Sequence, residues 1–176
     1  MIRLKDKTFK EYISATQIRE VIHDLAKEMT ADLKDSNPLF LAVLNGSFIF
    51  AADLFREFEF DCEICFVKLA SYSGTTSKGK VDNVIGLNKD INGRTVVVLE
   101  DIVDTGDTVA HLLDILTQHE PRAVKFATLL YKPETYKKNI KLDYVGIKVP
   151  ADFLIGYGLD YDGLGRNLKG IYVLTK

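Results

Sequence analysis

Residues Thr95 to Thr108 read TVVVLEDIVDTGDT, and this stretch decides the fold. An apolar, β-branched run from Thr95 to Leu99 has the composition of a strand buried on both faces. It meets two adjacent acids, Glu100 and Asp101, then two apolar residues, then Asp104-Thr105-Gly106-Asp107-Thr108, and finally an amphipathic helix beginning near Val109. A buried strand that delivers acids, hydroxyls and a glycine to the start of a helix is built like a phosphate-sugar site. Gly106 lets the backbone curl so that successive amide N–H groups face one anion. Thr105 and Thr108 add hydroxyl donors, and the helix turns its positive end to the same point. Glu100 and Asp101 would repel a phosphate but suit ribose hydroxyls or an oxygen-ligated Mg²⁺. Asp104 stands between cradle and sugar, where a carboxylate can accept a proton.

Outward from this segment, strands and helices alternate, as in a mainly parallel sheet with helices on both faces. Ser14 and Gln17 form a capping-box pattern, and Ile18, Val21, Ile22, Leu25, Ala26 and Met29 recur at helical spacing. Leu39 to Leu44 reads as a buried strand, Phe48 to Phe58 as a helix, Arg122 to Tyr131 as a strand, and Phe153 to Gly158 as another. Val81 to Asn88 reads as a short strand closed by a turn at Asp90–Gly93. Ser71 to Lys80 is polar, lacks any apolar period and reads as a loop.

Several chemistries are excluded. Neither GxxxxGK[ST] nor GxGxxG occurs, so a P-loop hydrolase and a dinucleotide-binding domain are unsupported. Charge is nearly balanced, net −2 over 176 residues, and no basic block favours nucleic acid. No apolar run reaches membrane-spanning length and MIRLKDKTFKEY lacks a signal-peptide core, so a cytoplasmic protein without a membrane partner is expected. The length suits one domain over 1–176. Cys62 and Cys65 form a CxxC within a strand-like stretch, which puts their side chains on opposite faces; structural thiols are expected.

The Thr95–Thr108 segment resembles the phosphoribosyl-pyrophosphate signature of the type I phosphoribosyltransferases. Four further blocks are similar to the hypoxanthine (hypoxanthine-guanine) branch: LAVLNGSFIFAADL (Leu41–Leu54), KLASYSGTTSKG (Lys68–Gly79), LLYKP (Leu129–Pro133) and VPADFLIGYGLDYDGLGRNL (Val149–Leu168). The resemblance implies an α/β type I phosphoribosyltransferase fold with a small hood formed by terminal segments. It implies transfer of a 5-phosphoribosyl group to a 6-oxopurine, with Mg²⁺ as cofactor, and a homodimer or homotetramer.

By that resemblance Glu100, Asp101, Asp104, Thr105, Gly106, Asp107 and Thr108 hold the phosphoribosyl group, and Asp104 assists proton removal. Asn45, Gly46 and Arg166 take pyrophosphate, Arg166 through its bidentate guanidinium. Lys132, Phe153, Leu154 and Asp160 surround the purine: Lys132 donates to O6, Phe153 stacks, and Asp160 ligates a second Mg²⁺ beside the one at Glu100 and Asp101. Ser71 and Tyr72 match a lid that closes over the site. One departure stands out: Leu44-Asn45-Gly46 occupies the position of the family's pyrophosphate loop, where a lysine often replaces Asn45. That loop works mainly through backbone N–H groups, some exposed by a cis peptide between its first two residues. A second reading, a regulator that keeps the pocket as a sensor, would call for a basic face or an added nucleic-acid-binding element. The sequence shows neither.

Overall fold

A computed structural model describes residues 1–69 and 84–175. The expected loop, with Ser71 and Tyr72, lies outside them. The strands are β1 (Ile2–Leu4), β2 (Lys7–Ile13), β3 (Leu39–Val43), β4 (Glu63–Leu69), β5 (Val84–Ile85), β6 (Thr95–Val103), β7 (Ala123–Tyr131), β8 (Tyr144–Lys148), β9 (Leu154–Ile155) and β10 (Ile171–Leu174). The helices are α1 (Ala15–Leu33), α2 (Phe48–Arg56) and α3 (Asp107–Thr117).

The central sheet has the order β5-β4-β3-β6-β7-β8, parallel throughout except for the antiparallel edge strand β5. Its alternating side chains build two cores. Val97 and Leu99 join Phe40, Ala42, Ala127 and Leu129 beneath α1 and α2. Val96 and Val98 join Leu39, Leu41 and Phe126 beneath α3. With both faces covered, the strand from Thr95 to Leu99 can be uniformly apolar. The Ser14–Gln17 capping box is formed: Gln17 N donates to Ser14 Oγ at 3.3 Å, and Ser14 N to Gln17 Oε1 at 3.0 Å.

A second sheet, β1-β2-β10-β9, joins the two chain ends as the expected hood. Its shortest member corrects one expectation. The strand read over Phe153–Gly158 is only Leu154–Ile155, because Gly156, Tyr157 and Gly158 all take positive φ and turn the chain. Strand β6 runs past the two acids to Val103, since pairing with β7 continues through Val103↔Tyr131. Helix α3 starts at Asp107 rather than near Val109. Other ends shift by one or two residues, and of Val81–Asn88 only Val84–Ile85 is a described strand.

Cys62 precedes β4 and Cys65 lies within it, both unbridged; burial raises both thiols, as suits structural cysteines. Among the described residues no helix is long and apolar enough to cross a membrane.

Candidate active site

The C-terminal edge of the parallel sheet is where an α/β protein builds a site, and four segments converge there. The first is the turn from β6 into α3. Gly106 takes φ +86° and is the N-cap of α3; it has no side chain to cap the helix, and the Thr105 hydroxyl oxygen accepts from Asp107 N at 3.4 Å. The N–H groups that follow Asp107 in the first turn are left to face an anion. Thr105 Oγ1 donates to Asp107 Oδ2 at 2.8 Å. The segment after β7 braces this turn. Lys137 N donates to Thr105 O at 3.2 Å, and Lys138 Nζ lies 2.7 Å from Asp107 Oδ1. A Cβ at Gly106 would stand 2.5 Å from the Tyr136 ring, so the curl is fixed by space as well as by φ. Glu100, Ile102 and residues 103–109 line a cavity of about 100 Å³ at this turn.

A larger cavity, about 390 Å³, adjoins it and is lined by Gly46, Asp101, Ile102, Asp104, Lys132, Phe153, Leu154, Leu159, Asp160 and Arg166. Ile102 and Asp104 line both cavities. Lys132 follows β7 directly, and its Nζ donates to Asp104 Oδ2 at 2.8 Å. The lysine side chain is 10% exposed and the aspartate 45%. The Lys132 ammonium, then the Thr135 hydroxyl, holds the Asp104 carboxyl below its ordinary range.

The two adjacent acids part company. Successive strand side chains face opposite ways, so Glu100 joins the small cavity and Asp101 the large one. Glu100 is 6% exposed, and its Oε1 is buried with no hydrogen-bond partner among the described residues. Burial, then the neighbouring Asp101, raises the Glu100 carboxyl well above its ordinary value. Burial also pushes Asp101 up to about 6, against backbone hydrogen bonds and the nearby Arg166. Asp101 lies over Gly46, where a Cβ would fall 1.6 Å from its Oδ2.

The Leu44–Asn45 peptide bond is cis, as the resemblance implied. Gly46 lines the cavity and Asn45 is exposed beside it. Arg166 Nη2 lies 2.5 Å from Asp160 Oδ1, and its Nη1 donates to Gly158 O at 2.6 Å. Asp160 Oδ2 accepts from Gly163 N at 2.7 Å, so both its oxygens are engaged. Phe153 is 44% exposed on the cavity wall, backed by Phe9 at 6.3 Å and Tyr161 at 5.9 Å between ring centroids.

The structure thus gathers Asp101, Asp104, Lys132, Phe153, Leu154, Asp160, Gly46 and Arg166 around one cavity, and Glu100 with the 104–108 turn around the other. Among the described residues no three acid, histidine or cysteine side chains gather tightly enough to form a metal cage by themselves. Sequence reading missed Leu159 in the cavity wall, the brace of Tyr136 and Lys138, and the approach of Gly158 to Gly46. The glycine-dense run GYGLDYDGLG was the available signal for the last.

The family profile described as phosphoribosyl transferase domain matches residues 10–162. The chain is 37% identical to the hypoxanthine-guanine phosphoribosyltransferase of Bacillus subtilis over 172 residues, covering 97% of this chain and 96% of that one. It is 40% identical over 166 residues to the bifunctional protein TilS/HprT of Listeria innocua, covering 94% of this chain. There it spans only about a quarter, 26%, of the relative's length. A crystal structure of a hypoxanthine-guanine phosphoribosyltransferase from Bacillus anthracis superposes with a TM-score of 0.85 at 37% identity, covering 97% of this chain and 100% of that one.

Proposed function

The chain belongs to the phosphoribosyltransferase family, in its hypoxanthine-guanine branch, and from that membership we propose that it transfers the 5-phosphoribosyl group of phosphoribosyl pyrophosphate to N9 of hypoxanthine or guanine. The products are the purine nucleotide and pyrophosphate. The observation that carries this reading is the pair of joined cavities sharing Ile102 and Asp104. A 5-phosphate in the Thr105–Thr108 turn and a base against Phe153 would leave the ribose spanning the junction, with its C1 near Asp104.

In this reading N9 attacks C1 as the bond from C1 to the pyrophosphate oxygen breaks, and the purine loses its N7 proton. Asp104 is the carboxylate at the junction that can take that proton. Lys132 depresses its basicity while the two are paired. When the ammonium turns to the purine O6, Asp104 gains base strength as the substrate arrives. Lys132 is a donor only, so it accepts a 6-oxo group and rejects the 6-amino group of adenine. Arg166 offers two nitrogens to pyrophosphate and would exchange its bond to Asp160 for one to the ligand.

The donors present suit Mg²⁺, which favours carboxylate oxygens together with substrate phosphates and water over an all-protein cage. Glu100, whose buried Oε1 has no partner among the described residues, and Asp101 would serve one ion together with the ribose hydroxyls, and Asp160 would hold a second. When bound, the ion offsets the negative charge on the diphosphate.

Calorimetric titration with inosine, guanosine and adenosine monophosphates tests the reading. Inosine or guanosine monophosphate should bind at least about a hundredfold more tightly than adenosine monophosphate. Equal affinity for all three would overturn the base assignment.

A further inference from the structure

We propose that Tyr157 and Asp53 form a positioning pair that holds the two walls of the pyrophosphate subsite in register, acting through Gly158, Arg166 and Gly46. The inference rests on the phosphoribosyltransferase reading above. Neither residue lines the 390 Å³ cavity, so neither is placed to touch substrate.

Three consecutive residues, Gly156, Tyr157 and Gly158, take φ of +97°, +49° and +102°. The glycines meet that demand freely, but a tyrosine in the left-handed region is uncommon. Its side chain accounts for its presence. The ring is 7% exposed in the core beneath α1 and α2, and the hydroxyl donates to Asp53 Oδ2 at 2.5 Å. Burial, and then Asp53 itself, keeps the phenol protonated and therefore a donor.

Asp53 belongs to α2, the helix that leaves the Leu44–Gly46 loop after Ser47. That helix is itself anchored to β3, where Ser47 Oγ donates to Val43 O at 2.6 Å. The pair therefore ties the helix behind one wall to the turn that forms the other. At the subsite the walls already touch: a Cβ on Gly158 would stand 2.0 Å from Gly46 O. Gly158 also fixes Arg166 from both sides, its N–H donating to Arg166 O at 3.0 Å and its carbonyl accepting from Arg166 Nη1 at 2.6 Å. A turn free to pivot about Gly156 and Gly158 would carry Arg166 with it. A phenylalanine would fill the same core space, so the hydroxyl is left with the task of alignment.

The test uses the full chain with Tyr157→Phe, Asp53→Ala, the double variant, and Asp53→Asn, which keeps an acceptor for the phenol. Three quantities are read: the KM for phosphoribosyl pyrophosphate, the Kd for inosine monophosphate, and the melting temperature. Tyr157→Phe and Asp53→Ala should each raise that KM by about tenfold, the scale of one charge-assisted hydrogen bond. The nucleotide, whose expected contacts are the 104–108 turn, Lys132 and Phe153, should keep its Kd within about twofold. The double variant should be no worse than either single one, and Asp53→Asn should recover most of the loss. Two results would overturn the inference: an unchanged KM in both single variants, or KM and Kd rising together in step with a lowered melting temperature. Wild-type protein that binds neither ligand would bring down the transferase reading itself, and the inference with it.

Discussion

Replacing Gly46 by alanine adds one methyl group at the tightest point of the site. Gly46 does not take positive φ, so the backbone tolerates the change and only space decides. The new Cβ would lie 1.6 Å from Asp101 Oδ2 and 2.4 Å from its Cγ. Ordinary contact begins near 3.4 Å, so the carboxylate must retreat by roughly 1.8 Å or the loop must move instead. The loop has little room, because Gly46 O is held against Gly158. Overpacking of this kind costs about 1–3 kcal/mol. For a domain of this size each kcal/mol lowers the melting temperature by about 2–4 °C. The functional loss should be larger, since a displacement of about 1 Å in a binding constellation can cost a hundredfold. The assay is kcat/KM for phosphoribosyl pyrophosphate at saturating hypoxanthine, alongside a calorimetric melt. Gly93→Ala is the control: it has positive φ, open space around it and no place in the site. That variant should lose about 1 kcal/mol of stability and keep its activity. Gly46→Ala with unchanged kcat/KM would refute the argument that Asp101 occupies this position against the loop.

Asp104→Asn should lower kcat by about 10²–10⁴-fold while the KM for phosphoribosyl pyrophosphate changes by less than about threefold; equal losses in both, measured by steady-state kinetics, would remove the base role. Lys132→Met should raise the KM for hypoxanthine by about 10–100-fold and leave that for phosphoribosyl pyrophosphate nearly unchanged, the scale of a hydrogen bond from a charged donor. For Asp101 the folded-state value of about 6 stands above the ordinary 3.8. The folded protein thus holds more protons than the unfolded chain between roughly pH 4 and 6, and stability falls as pH rises through that window. Asp101→Asn, neutral at every pH, should therefore gain on the wild type from about pH 4 to 6 and hold a constant advantage above it. Denaturant melts across that range check the sign, and a gap that narrows with rising pH would contradict it.

What the sequence disclosed divides along the range of the interactions. The turn from β6 into α3 was legible because it is local: Gly106, Thr105 and Asp107 make their geometry within a few residues. The buried strands of the parallel sheet and the capping box of α1 were legible for the same reason. Strand ends were less so, since only pairing with β7 carries β6 past two charged residues to Val103. The hood emerged from resemblance alone, because β10 at one end of the chain pairs with β2 at the other. Long-range partnerships left no local trace. The bond from Lys132 to Asp104 spans 28 residues, and the one from Tyr157 to Asp53 spans 104. The division of Glu100 and Asp101 between two cavities follows from strand alternation, once β6 is known to continue through them.

The most direct measurement is a spectrophotometric turnover assay with phosphoribosyl pyrophosphate and Mg²⁺, offering hypoxanthine, guanine, xanthine, adenine and uracil in separate reactions. The account predicts turnover of hypoxanthine or guanine, abolished by a chelator and restored by added Mg²⁺, with adenine and uracil inert. Turnover of adenine, or none of the five bases consumed by protein that still binds phosphoribosyl pyrophosphate, would contradict it.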